Sequence, residues 1–151
     1  MAENADLIKL YSARILALAT DIPHLARLSD PQASVKRRSP LCGSSVTVDL
    51  DMEDGRVSRF GQDVKACALG QAAAAILGAV VIGRSAEELA AARDALRAML
   101  VQEGPVPPAP FDGYEVLLPA RDYRNRHASI LLALEAAAEA SAMVAADAGA
   151  R

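Results

Sequence analysis

The chain has 151 residues, 52% of them hydrophobic but only 3% aromatic, with no Trp. That length buries one core without disulfides, and the core has to be built from Leu, Ile, Val and the 33 alanines. A net charge of −3 and a pI near 5.4 exclude a global basic field of the kind that holds nucleic acid or an anionic membrane.

Residues 6–20 read as an amphipathic helix, with Leu7, Leu10, Ile15 and Leu18 on one face and Pro23 beyond its end. The acidic residues before it stand where a signal peptide carries basic ones. Residues 29–41 are polar and turn-rich, with a short strand around Val35–Arg38. Val46, Val48, Leu50 and Met52 then alternate with Ser45, Thr47, Asp49 and Asp51, the pattern of a strand with one wet face. Asp54-Gly55 suits a tight hairpin, and Val57–Val64 forms the return strand, its poorer alternation predicting a bulge. Residues 67–82 form a helix that is apolar nearly all round and so is buried on most faces. This longest apolar run is interrupted by Gly70, Gln71 and Gly78 and falls short of the roughly 20 residues that span a bilayer. Ser85 and Glu88 make a capping box that opens a helix over 86–101, with Leu89, Leu96, Met99 and Leu100 inside. Residues 103–113 hold four of the eight prolines and read as an ordered surface loop. The last helix is expected from about Arg121 to Met143, with Ile130, Leu131, Leu134, Ala138 and Ala142 facing inward and residues 144–151 as a frayed tail. The whole is one α+β domain over 1–151: an antiparallel sheet of about three strands against four or five helices, and a cytoplasmic protein that spans no membrane.

The side chains that can carry chemistry are two cysteines and two histidines. Two cysteines make no disulfide framework of the small secreted kind. They fit one bridge, two buried thiols or two metal ligands. Cys42 lies in the loop Pro40-Leu41-Cys42-Gly43 just before the hairpin, and Cys67 just after it, where the free N–H groups of a helix start favour a thiolate. The outer ends of a hairpin are neighbours, so the two sulfurs should approach each other. His127 falls near the first turn of the last helix, and His24 in a loop with no evident partner. Lys36-Arg37-Arg38 and Arg121, Arg124 and Arg126 flank this end, either as a rim for an acidic partner or as ordinary surface charge. Tyr11, Tyr114 and Tyr123 are given packing roles.

Three segments in order resemble the iron–sulfur cluster assembly scaffolds, the family of IscU, SufU and the N-terminal domain of NifU. They are Pro40-Leu41-Cys42-Gly43, the Asp54-Gly55 hairpin with Ala66-Cys67-Ala68-Leu69-Gly70-Gln71 after it, and His127-Ala128-Ser129-Ile130-Leu131. Against the family patterns P-x-C-G-D, G-C-x-x-S-x-A-S and H/K-C-x-x-L, the chain departs three times. Ser44 replaces the Asp, Gly70 the Ser and Ala128 the third Cys. The resemblance covers about residues 6–140 and implies a SufE/NifU-like fold and a scaffold with no turnover of its own. It implies Cys42, Cys67 and His127 as the ligands of zinc, iron or a [2Fe–2S] cluster, or as sulfur acceptors. It also implies a cysteine desulfurase and apo iron–sulfur client proteins as partners, with no nucleic acid or membrane and the protein a monomer or homodimer. The two lost ligands leave two other readings: a non-assembling binding or regulatory module of the same machinery, or a persulfide-carrying sulfur-transfer protein.

Overall fold

The structure is a computed structural model that describes residues 12–40 and 43–149, the last two by backbone only. Helix α1 is Ala13–Ala19; strands β1, β2 and β3 are Ala33–Arg38, Ser45–Glu53 and Arg56–Lys65. Helices α2 and α3 are Ala68–Val80 and Ala86–Val101, a 3₁₀ segment, η1, covers Asp112–Asp122, and α4 is Arg124–Gly149. The fold is α+β, a three-stranded antiparallel sheet in the order β1-β2-β3 with helices on its inner face. Of the helix expected over 6–20, residues 6–11 lie outside the described residues.

The hairpin forms where the alternation places it. Asp54 and Gly55 both take positive φ, +54° and +77°, the conformation of a two-residue turn whose twist matches the strands. The pairing slips between Asp51 and Met52, giving the bulge that the return strand predicts. Beyond the turn, β3 is tied to the start of α3: Val57 N–H donates to the Arg84 carbonyl and Gly83 N–H to that of Val57.

The outer face of the sheet is less wet than the alternation predicts. Ser45 and Asp49, expected outside, are buried. The segment between α1 and β1 folds over Asp49, with Gln62 N–H donating to the His24 carbonyl and Leu28 N–H to Asp49. Gly61 makes this possible, because a Cβ there would run into the Ala26 carbonyl oxygen.

On the inner face, α4 packs against β1 and β2, α3 against α4, and α2 against both α1 and α4. Leu50, Leu69, Leu77, Leu89, Leu96, Ile130 and Leu134 are fully buried, and Ala72–Ala75 and Ala136–Ala138 fill the helix contacts. Alanine at these contacts lets backbones approach closely, which suits a core with so few aromatic rings. Tyr114 on η1 is buried among them, and burial pushes its phenol well above its ordinary range.

Helix α4 differs from expectation in three ways. It starts at Arg124, because Arg121 and Asp122 belong to η1. It continues to Gly149, past the expected end at Met143 and through most of the expected tail; Ala145, Ala146 and Ala148 are strong helix formers. Ala142 is exposed, not inward. By length and composition α4 is apolar enough to cross a bilayer, yet 61% of its apolar window is buried inside the protein.

Candidate functional site

Cys67 is the N-cap residue of α2. Its backbone is extended (φ −66°, ψ 171°), and its carbonyl accepts the Gln71 N–H at 2.9 Å, so the helix begins immediately after the sulfur-bearing residue. The thiol is free and half-buried. Its side chain does not cap the helix; it turns toward α4, where Sγ lies 3.5 Å from Ser129 Oγ. Ser129 is buried and donates to Ser44 Oγ at 3.0 Å, and Ser44 is buried too. Three segments distant in sequence thus meet in one sulfur–hydroxyl–hydroxyl chain.

Ser44 belongs to the base of the loop that carries Cys42. Ser39 N–H donates to the Ser44 carbonyl at 2.8 Å and Gly43 N–H to that of Ser39 at 3.1 Å, with Gly43 at φ +69°. Cys42 itself lies outside the described residues, as does Tyr11. Gly70, one turn into α2, faces the same place: a Cβ there would lie 2.6 Å from Ser129 Oγ and 2.7 Å from Ala66 Cβ. Glycine at 70 is what admits the Ser129 hydroxyl beside Cys67.

His127 is in the first turn of α4, 7% exposed. Its Nε2 lies 2.9 Å from the Ala120 carbonyl oxygen and 3.0 Å from that of Arg121. Carbonyls only accept, so Nε2 carries the hydrogen, and a neutral ring then keeps its lone pair on Nδ1. Backbone carbonyls orient metal-ligating histidines in this same manner. The ring and the half-buried Ala128 border a groove of about 980 Å³ between the end of α3, η1 and α4. Among the described residues, no three Cys, His, Asp or Glu side chains are grouped so as to hold one metal ion.

The basic clusters are partly structural. Arg37 reaches Glu135 and Glu139 on α4 at 3.7 and 3.8 Å. Arg121 donates to the carbonyls of Met99 and Gly104, tying η1 to the end of α3. Lys36, Arg38 and Arg124 are exposed. His24 has the partner that its sequence context hid: its ring stands edge-on to Phe60, centroids 6.1 Å apart.

Ser129 is the site residue that sequence reasoning passes over. It is one of several small residues on an alanine-rich helix, and the contacts that single it out span 62 and 85 residues.

No protein-family model matches the chain, and no curated protein matches it. Among solved structures, the chain is similar to the crystal structure of a nitrogen-fixing NifU-like protein (N-terminal) from Brucella abortus. Identity is 42% over 93% of this chain and 98% of that one, with a TM-score of 0.90. Two more distant structures share the fold alone. One is a hypothetical protein (23% identity, 89% and 98% coverage, TM-score 0.77). The other is from Fervidobacterium islandicum AW-1, named as an iron–sulfur cluster assembly scaffold for the SUF system (15% identity, 89% and 98% coverage, TM-score 0.78). With two-fifths identity sustained over nearly the whole length of one fold, the chain belongs to the NifU-like (N-terminal) family.

Proposed function

We propose that the chain is a cytoplasmic scaffold or carrier, without turnover of its own, that takes up zinc, iron or cluster sulfur through Cys42, Cys67 and His127. The observation that carries this reading is Cys67. In a chain 42% identical to a NifU-like protein, it stands at the N-cap of α2 with a free sulfur turned away from the cap and toward the first turns of α4, the helix that bears His127. The donor types suit a soft or borderline metal: two thiolates and an imidazole whose Nε2–H is taken up by carbonyls, with an open fourth position. A [2Fe–2S] cargo takes about four protein ligands. With Ala128 in place of the third cysteine, a small thiol or a second copy would complete that set.

The partner that fits is a cysteine desulfurase. A thiolate at Cys67 attacks the outer sulfur of the enzyme's persulfide, takes that sulfur and releases the enzyme's cysteine as a thiolate. Apo iron–sulfur proteins are the recipients. The test is anaerobic purification with metal analysis and an absorption spectrum, alongside Cys42→Ala and Cys67→Ala. We expect bound metal that either substitution removes; a chain that holds neither metal nor sulfur, indifferent to both substitutions, overturns the reading.

A second reading follows from Ala128 and Ser44 standing where the family pattern has ligands: a binding module of the assembly machinery that carries no cargo. Capture of a desulfurase by metal-free protein and by the Cys67→Ala form alike would favour it.

A further inference from the structure

The cations of this chain are sorted by position. Away from the site end, every described arginine except Arg14 reaches a carboxylate. At the site end, Lys36, Arg38 and Lys65 are exposed, and among the described residues none of them pairs with a carboxylate. The register sets them side by side. Arg38 and Lys65 stand opposite Ser45 from its two flanks, and Lys36 lies two residues along the same face of β1. Neighbouring strands are about 4.8 Å apart, so three positive charges share a patch roughly 10 Å wide on the outer face of the sheet. The one carboxylate in these two rows is Asp63, and its field acts on Arg27. Across Ser44 and Cys67 from this patch, the first turn of α4 carries Arg124 and Arg126, again unpaired with a carboxylate among the described residues and with no acidic residue in that turn. A helix N-terminus disfavours cations, so the stability of α4 does not account for them. Helix α3 shows the opposite arrangement, with Glu87 and Glu88 in its first turn.

The far end of the molecule is acidic. Glu53 and Asp54 at the hairpin turn, Glu87 at the start of α3 and Asp147 near the end of α4 are all exposed. Asp54, Glu87, Val144 and Ala145 line one groove, which places these elements together. Helix α4, 26 residues and roughly 39 Å long, runs between the two ends. A chain of net charge −3 thus presents one positive end, and it is the end that bears the free sulfur. The patch is too short to track a phosphate backbone, and the acidic remainder repels a polyanion that runs past it. A compact acidic segment on a folded partner meets neither obstacle.

We propose that this end is a docking surface for a partner protein that presents an acidic segment. Its carboxylates meet Lys36, Arg38 and Lys65 on one side and Arg124 and Arg126 on the other, while the acidic far end turns the wrong orientations away. Docking there stands the partner over Cys67, and only the use of that placement rests on the function proposed above. The test has two arms. In the first, the ¹⁵N-labelled full chain is titrated with a short polyglutamate peptide at low salt. Amide shifts are expected at residues 36–38, 45, 65 and 124–126, and about 0.5 M salt removes them. Lys36→Gln/Arg38→Gln/Lys65→Gln, its fold checked by circular dichroism, weakens binding about tenfold, the loss of three exposed charge pairs. Glu53→Gln/Glu87→Gln does not weaken it. No shifts, shifts centred elsewhere, or a triple variant that binds like wild type overturn the proposal. So does an oligothymidylate that binds the same residues more tightly than the peptide, or sedimentation at low salt that shows a second copy of the chain on this surface. In the second arm, a purified cysteine desulfurase is the partner. The triple variant should associate about tenfold more slowly at low salt and dissociate at the wild-type rate; unchanged association overturns the docking role. A desulfurase that binds neither form overturns the partner proposed above, while the peptide still decides the surface.

Discussion

Asp49 is fully buried beneath the segment that crosses the sheet, yet four hydrogen bonds reach its carboxylate: two from Arg27, one from Ser34 Oγ at 2.6 Å and one from Leu28 N–H at 3.0 Å. Burial by itself pushes the carboxyl up; the bonds from Arg27, Ser34 and Leu28 outweigh it and hold the group below its ordinary value of 3.8. The unfolded chain therefore takes up this proton first. The stabilisation is complete above the ordinary carboxylate value and is lost as pH falls below it and through the lowered native value. Denaturant titrations should show Asp49→Ala costing about 2 kcal/mol at neutral pH, and Asp49→Asn losing less stability than wild type between neutral pH and pH 3. Gly70→Ala should cost about 1–3 kcal/mol by crowding Ser129 and Ala66, and Gly70→Ala/Ser129→Ala should recover part of that in the same assay. The candidate site was legible in the sequence where chemistry is carried by residue type: Cys67 and His127 are conspicuous at helix starts. Ser44, Ser129 and Gly70 take their meaning from proximity across 62 and 85 residues, which no local pattern encodes.

At the scale of elements, local chemistry decided more. The β2–β3 hairpin follows from strict alternation and from Asp54-Gly55; Gly55→Ala, forced to φ +77°, should cost about 1 kcal/mol and lower the melting temperature. The Ser85–Glu88 capping box forms as expected, both of its bonds at 3.1 Å, and Glu88 also receives Arg56 and Arg84 at 2.9 Å. Ser85→Ala should cost about 1 kcal/mol by the same measurement. What local chemistry missed has physical reasons. Strand β1, expected around Val35–Arg38, begins two residues earlier at Ala33, because with three basic residues in its six it is ordered by pairing to β2 rather than by its own pattern. The segment η1 contains Pro119 and has no helical face to read; it is held by Tyr114 and Leu117 in the core and by the bonds of Arg121. The wet face of β2 is covered by a loop whose course depends on Gly61.

At the scale of the molecule, α4 is both the centre of the core and the support of the site. Leu134, fully buried there, should cost 2–5 kcal/mol when cut to Ala, read from chemical denaturation. If the proposed ligands hold zinc, added zinc should raise the wild-type melting temperature in proportion to the logarithm of its concentration and leave Cys67→Ala unmoved, since binding to the folded state alone stabilises it. The alanine contacts of α4 have a mechanical result as well. Ala133 and Ala136–Ala138 are buried on the packed face, while His127 and Ser129 stand near the start of the same helix. A larger side chain at Ala136 has no room where it stands and should push α4 off its neighbours, at a cost of about 1–3 kcal/mol. His127 and Ser129 sit on that same helix, so such a substitution should shift their alignment although it touches neither sulfur nor imidazole.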